Sequence, residues 1–329
     1  MNKLAKKIRA SVSAVAFCVA VALPATALAD TMRIAFGDIA TVESLHLLAA
    51  FERAKEKGLD VQVTFLKSED IAAQAVVSGQ ADVGVGAPYA LLQKVKAPIR
   101  IFMQLSKLQF YPVVNTEFYK DWKDLDGQEI AVHSRGSGTE AIMQLMADKN
   151  GIKYSSIAYV PGAEVRTGAL LQGNVKATIV DSSGKRVLED KAPGKFAFLP
   201  LGDVSATDEA LFANADYLAA NAKDVEILVE SILTTWREVA ADPKSVAALR
   251  EKYKLLPDAT PEMIADIAPY FAEAAPNIPL NGGGADAAKD DFDFYTISGA
   301  LTGEAKDLKV EDFWDLKPLD AVLQKLGTK

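Results

Sequence analysis

Short apolar runs alternate along the first two-thirds of the chain with longer stretches in which apolar residues recur every three or four positions. The first pattern predicts strands and the second helices. Residues 31–36 read as a strand that ends at Gly37-Asp38. Leu45, Leu48 and Ala49 then share one face of a helix over about 42–57, which Gly58 stops. A strand follows at 61–66, then a helix with Glu69 and Asp70 in its first turn and Gly79 at its end. Residues 81–86 form a buried strand, the turn Ala87-Pro88-Tyr89 opens another helix, and 99–105 is a fourth strand. Such alternation predicts a parallel sheet with helices on both faces.

The strand at 111–115 and the polar stretch after it read as a crossing into a second lobe, whose centre is residues 128–145. There Ile130, Ala131 and Val132 suit a buried strand, His133 to Gly138 form a polar loop, and Ala141, Ile142, Leu145 and Met146 recur at helical spacing. Ser137 and Glu140 have the spacing of a capping box, which sets the helix start near Thr139. This element gathers unpaired N–H groups and the positive end of a helix dipole, and so favours an anion. The other reading is that Ser137 only caps its own helix and Gly136 and Gly138 only allow the turn. Strands at 157–161, 177–180 and 196–199 complete the lobe, the second of them ending at the loop 181–184. Residues 208–214 return the chain, and beyond 215 the pattern is helical, with Pro243, Pro257 and the triple glycine 282–284 as breaks.

The expected architecture is α/β: two parallel-sheet lobes joined by two crossover segments, with a helical C-terminal extension. Residues 30–115 and 208–329 make lobe 1 and 116–207 make lobe 2, with hinges near 111–116 and 201–214.

The first thirty residues stand apart. Lys3, Lys6, Lys7 and Arg9 precede an apolar run at 12–23, and Ala27-Leu28-Ala29 supplies a small-residue cleavage site before Asp30. This is the form of a secretory signal peptide over 1–29, with an apolar run too short to span a bilayer. Cys18, the single cysteine, lies within it, so the exported chain has neither a disulfide nor a thiolate metal site. Cleavage removes those four cations and no acid, taking the formal charge from −8 to −12. That balance argues against nucleic acid and anionic membrane surfaces as partners.

Ligands of open α/β sheets sit outside the carboxyl ends of strands. Four loops qualify here, and they nominate Gly37, Asp38 and Thr41, then Ala87, Pro88 and Tyr89, then His133, Gly136, Ser137, Gly138 and Thr139, and finally Asp181 and Ser182. Arg166 joins them as a guanidinium for a carboxylate or sulfonate, or else as a solvated helix arginine. Tyr89 serves as an apolar wall or as packing, and His133 as a donor to the ligand or as a structural hydrogen bond. Asp38 and Asp181 would oppose a bare anion, so if both line one site the ligand also carries a donor. No catalytic residue, metal ligand or cofactor is assigned.

Several runs together carry a resemblance: Met32-Arg33-Ile34-Ala35-Phe36-Gly37, residues 77–84, residues 124–132 leading into Gly136-Ser137-Gly138-Thr139, residues 169–177 and residues 214–218. They resemble the periplasmic substrate-binding proteins of ABC importers, in the nitrate/sulfonate/taurine group that includes thiamine-precursor binders. The resemblance implies the bilobed type II binding-protein fold, a periplasmic location, a monomer, a small-molecule ligand in the interlobe cleft and an inner-membrane permease as partner. The expected ligand is a small organic anion, a sulfonate or carboxylate, with a neutral pyrimidine as the alternative. A sensor module serving a membrane receptor kinase would use the same fold. An enzyme on this scaffold is disfavoured, because the related enzymes rely on cysteines that the exported chain lacks.

Overall fold

The computed structural model describes residues 31–202, 204–298, 301 and 309–328. The signal peptide read over 1–29 lies outside them. Strand β1 (Met32–Phe36), helix α1 (Leu45–Glu56), β2 (Val61–Phe65), α2 (Glu69–Val77), β3 (Val83–Gly86), α3 (Tyr89–Val95) and β4 (Ile99–Gln104) follow in the expected order. The second lobe contains β5 (Tyr111–Asn115), β6 (Glu129–Val132), α4 (Gly138–Asn150), β7 (Ser156–Tyr159), α5 (Ala163–Leu171), β8 (Ala177–Val180), α6 (Ser182–Lys191) and β9 (Phe196–Phe198). The chain returns through β10 (Ala210–Asn214) to α7 (Ala215–Ala220), α8 (Ala222–Ala241), α9 (Ser245–Tyr253), α10 (Pro261–Ala274), α11 (Gly284–Ile297) and α12 (Lys317–Leu326).

The first sheet has the order β2-β1-β3-β10-β4. Its period-two alternation feeds two apolar layers. Ile34, Phe36, Val83, Val85 and Leu211 pack against Phe51 of α1 and Leu228, Ile232 and Trp236 of α8. Ala35 and Phe212 face the other way, onto Ala72, Ala73 and Val76 of α2 and Tyr295 of α11. Each large apolar side chain buried in this way contributes about 1.5–3 kcal/mol. Gly84 is required by the register: a Cβ there would lie 2.2 Å from the ring of Phe212 on the neighbouring strand.

Both lobes depart from a purely parallel pattern. β1, β2 and β3 are parallel, but the returning β10 runs antiparallel between β3 and β4. In the second lobe β6 and β7 pair in parallel, whereas β5 is antiparallel to both β8 and β9. Pairing of β5 with β8 and β9 also corrects the expected boundary at 115. That strand belongs wholly to the second lobe, so the first crossing comes before Tyr111.

The two crossings run side by side as a ribbon. Leu105 N–H donates to the Glu209 carbonyl at 2.8 Å, Asp208 N–H to the Ser106 carbonyl at 3.0 Å, and Leu108 N–H to the Ala206 carbonyl at 2.9 Å. This pairing gives the lobes one compound hinge and places Asp208 and Glu209 on it. The C-terminal helices cover the first sheet, and α10 reaches across to α6 of the second lobe, where Arg186 meets Asp266 at 2.8 Å and Glu273 at 2.6 Å. Helix α11 starts at Gly284, the last residue of the triple-glycine break, and Val310–Asp312 is a single 3₁₀ turn. No helix among the described residues is long and apolar enough to cross a membrane.

Candidate functional site

The lobe 1 wall of the cleft is built where β1 and β3 end. A Cβ on Gly37 would lie 2.8 Å from the Cα of Glu69, so glycine is what lets the start of α2 come this close. Glu69 is thereby turned inward, and its carboxylate accepts from Ala87 N–H at 2.7 Å. Asp38 accepts from the N–H of Ile39 at 2.6 Å. Glu43, in the turn before α1, and Asp208 and Glu209, on the hinge ribbon, continue this acidic wall. Among the described residues no donor hydrogen-bonds the carboxylates of Glu43 or Glu209.

The opposite wall comes from lobe 2. Ser137 caps α4 by accepting from Glu140 N–H at 3.3 Å and lies 2.8 Å from the Thr139 hydroxyl. Thr139 Oγ1 in turn accepts from His133 N–H at 3.0 Å, and the Glu140 carboxylate accepts from Gly136 N–H at 2.6 Å. The donors expected to attract an anion are therefore largely engaged by the protein's own oxygens. His133 is held at both ring nitrogens: Nε2 lies 3.1 Å from the Gly37 carbonyl, and Nδ1 is 3.3 Å from Gly162 N–H. Only the neutral tautomer with its proton on Nε2 satisfies both contacts. Arg166 is 1% exposed; its Nε and Nη1 donate to the carbonyls of Ile179 and Val160 at 2.9 and 3.0 Å. It carries a buried charge with no carboxylate of the described residues at ion-pair distance.

Two adjoining hollows share Glu43, Phe110, Asp208 and Glu209 in their walls. The smaller, about 30 Å³, holds Asp38, His133, Thr139 and Arg166. The other, about 50 Å³, adds Asp181, Ser182, His46 and the aromatic rings of Trp236 and Tyr270. Spaces of this size take a few waters, so a larger solute requires the lobes to part. Burial and mutual repulsion raise the acids together. Asp208 and Glu164 are both pushed up to about 7, while Glu43, Glu69 and Glu209 are held well above the usual carboxylate range. Burial likewise raises Asp181, against the hydrogen bond it accepts from Gly184 N–H. His133 is lowered, first by burial, with the Arg166 charge adding to the effect and Asp38 opposing it.

The structure thus brings together Asp38, His133, Thr139 and Arg166 in one hollow and Asp181 and Ser182 in the next. Gly37 stands at the junction through its carbonyl, and Gly138 packs on Leu108 with a Cβ position 3.6 Å from Asp208 Oδ1. Ser137, 1% exposed, acts as a cap. Thr41 is tied to Ser44 by its own backbone. Ala87, Pro88 and Gly136 line a separate depression beside Arg135, which itself lies 5.2 Å from the Tyr159 ring. Tyr89 faces the core, donating to Asp291 and accepting from Trp314 Nε1, each at 2.7 Å. Glu43, Glu69, Phe110, Asp208 and Glu209 are additions that the sequence pattern did not mark. The two hinge acids could have been found only by asking which polar residues interrupt a crossing segment.

The NMT1/THI5-like family profile matches residues 54–246, more than half of the chain. The chain belongs to the NMT1/THI5-like family. No curated protein matches it. Among solved structures, a protein from Bordetella bronchiseptica RB50 is 20% identical, covers 90% of this chain and 98% of its own, and superposes with a TM-score of 0.74. The periplasmic nitrate-binding protein NrtA of Synechocystis PCC 6803 is 15% identical over 91% of this chain and 89% of its own, with a TM-score of 0.68. The alkanesulfonate-binding protein SsuA of Xanthomonas axonopodis pv. citri, bound to MOPS, is 17% identical over 86% of this chain and 98% of its own, with a TM-score of 0.64. These likenesses share the bilobed binding-protein fold with the family member described here.

Proposed function

We propose that this protein is the solute-binding component of an ABC importer, exported to the periplasm, which holds a small organic solute between its lobes and presents it to a permease. One observation carries the reading: a buried guanidinium with no ion-pair partner among the described residues lies on one lobe and faces a cavity whose other wall is a row of acids, across a hinge made of two paired segments. A solute that contacts both walls favours the closed arrangement over the open one, and the closed population rises by its differential affinity. His133 is unsuited to act as a base, since both of its ring nitrogens are engaged by main chain. The basic start, apolar run and small-residue cleavage site over 1–29 support export.

The expected sulfonate or carboxylate fits this cleft poorly if it is only an anion. Arg166 and the Thr139 hydroxyl would welcome it, but Asp38, Glu43, Asp208 and Glu209 stand opposite, in a setting that already holds acids above their ordinary range. Small-angle scattering with and without stabilising solutes tests the hinge. A solute that raises the melting temperature should also reduce the radius of gyration, and tight binding without compaction would count against the reading.

A further inference from the structure

The two walls differ in sign. Arg166, 1% exposed, is fixed by the Ile179 and Val160 carbonyls so that its guanidinium lines the smaller hollow, and among the described residues Nη2 has no partner. A buried cation in that state calls for an anionic oxygen. Facing it, Glu43, Asp208 and Glu209 stand where the two hollows meet, and Asp208 is only 9% exposed. Carboxylates so placed call for a protonated nitrogen. Beyond them the second hollow is walled by Phe110 and Tyr270, which suit an apolar body. A pure anion would answer Arg166 but leave the hinge acids crowded together and holding protons in a buried setting, and a pure cation would leave Arg166 unanswered. A molecule carrying both charges answers each wall and ties one lobe to the other.

We propose that the cleft takes a small zwitterion of the amino-carboxylate type, with its carboxylate on Arg166 and Thr139, its protonated amine among Glu43, Asp208 and Glu209, and its apolar body toward Phe110 and Tyr270. The proposal rests on the reading of the cleft as a solute site. It accounts for a wall of acids opposite an unpaired arginine, which neither an anion nor a neutral pyrimidine requires. It also gives closure a cause, because the two charges of one solute bind opposite lobes.

The test is a thermal-shift screen of the intact protein against the standard α-amino acids, with matched molecules that lack one charge. L-leucine is set beside isoamylamine and 4-methylpentanoate, and L-phenylalanine beside phenethylamine and 3-phenylpropanoate. At least one amino acid should raise the melting temperature, and calorimetry should find it bound about a hundredfold or more tighter than either partial analogue, because each analogue leaves a buried charge unanswered. Asp208→Asn and Glu209→Gln, checked for native melting, should each weaken that amino acid about tenfold or more and weaken the matched acid far less. If the acid analogue binds as tightly as the amino acid, the proposal is overturned while the cleft reading stands. Stabilisation by no amino acid at millimolar concentration overturns it as well. An amino acid whose affinity is the same in both hinge variants binds elsewhere, which would sink the cleft reading along with the proposal.

Discussion

The imidazole of His133 on the second lobe donates from Nε2 to the carbonyl of Gly37 on the first, at 3.1 Å. Its other nitrogen accepts from Gly162 N–H, so the ring is a neutral strut between a strand end of lobe 1 and the start of α5. Replacing it by alanine leaves the buried Gly37 carbonyl and Gly162 N–H unanswered. His133→Ala should weaken solute binding by about 1–3 kcal/mol and enlarge the ligand-free protein in solution. Calorimetry and scattering check this, and an unchanged radius of gyration would mean that the strut does not hold the lobes. The pH sign follows from the lowered value of His133. Its contribution is complete above the ordinary histidine value near 6.5 and is lost as pH falls through the lower folded value. The charged groups facing the ring are Asp38, 3.7 Å from Nδ1, and the Arg166 guanidinium.

Asp208 titrates in the opposite sense. Its folded value is raised from 3.8 to about 7, by burial first and then by the charge of Asp38. A carboxyl raised in this way favours the folded state below its unfolded value, and that advantage is lost as pH rises through about 7. At pH 8 the ligand-free protein therefore carries a cost that Asp208→Asn removes. The variant should be more stable than the parent by about 1–3 kcal/mol, a gain that shrinks on going to pH 5, while binding of a cationic or zwitterionic solute is impaired. Denaturant melts at the two pH values measure the difference. His46, lowered to about 3, contributes with the opposite pH sign and is common to both proteins, so it cancels in the comparison.

The contrast between cap and hinge explains what could be read from the sequence. Ser137 and Glu140 are three residues apart and act within one helical turn, so half of the capping box followed from spacing: Ser137 Oγ does accept Glu140 N–H, but the Glu140 carboxylate takes Gly136 N–H while Ser137 N–H goes to the Ser134 carbonyl, and α4 starts at Gly138, one residue earlier than expected. The alternation of strands and helices was legible for the same reason. Glu43, Asp208 and Glu209 sit in turns and crossings, where no period constrains a side chain, and only the pairing of two distant segments brings them to one cavity. Tyr89 shows the converse. It stands in a candidate loop, yet its hydroxyl is taken by Asp291 and Trp314, both more than 200 positions away, and such partners leave no local trace. The antiparallel placement of β5 was hidden because a short apolar run fits either sheet.

Gly84 tests the first sheet. With a Cβ position 2.2 Å from the ring of Phe212, alanine there forces the ring or one of two neighbouring strands to move. Gly84→Ala should destabilise the protein by about 1–3 kcal/mol. Adding Phe212→Leu should recover part of the loss, since the smaller side chain can yield the space. If the double variant melts no higher than Gly84→Ala with respect to its Phe212→Leu parent, the clash is not the cause.

Arg186 forms a second link between the lobes. Its guanidinium extends from α6 of lobe 2 to two acids one helical stretch apart on α10, Asp266 at 2.8 Å and Glu273 at 2.6 Å. Ser183, on the same helix, also hydrogen-bonds Asp266. Because α10 packs with the first-lobe helices, this cluster joins the lobes at a second place. The pairs are partly exposed, so each is worth about 1 kcal/mol or less and weakens with salt. Arg186→Ala should therefore leave global stability nearly unchanged but bias the ligand-free protein toward the open form, lowering solute affinity by a factor of about 2–10 in low salt and by less in high salt. Asp266→Ala should do the same, and the double variant should show a loss smaller than the sum of the two, because one contact is being removed twice. Fully additive losses would mean that the two residues act independently and that α10 does not latch the cleft.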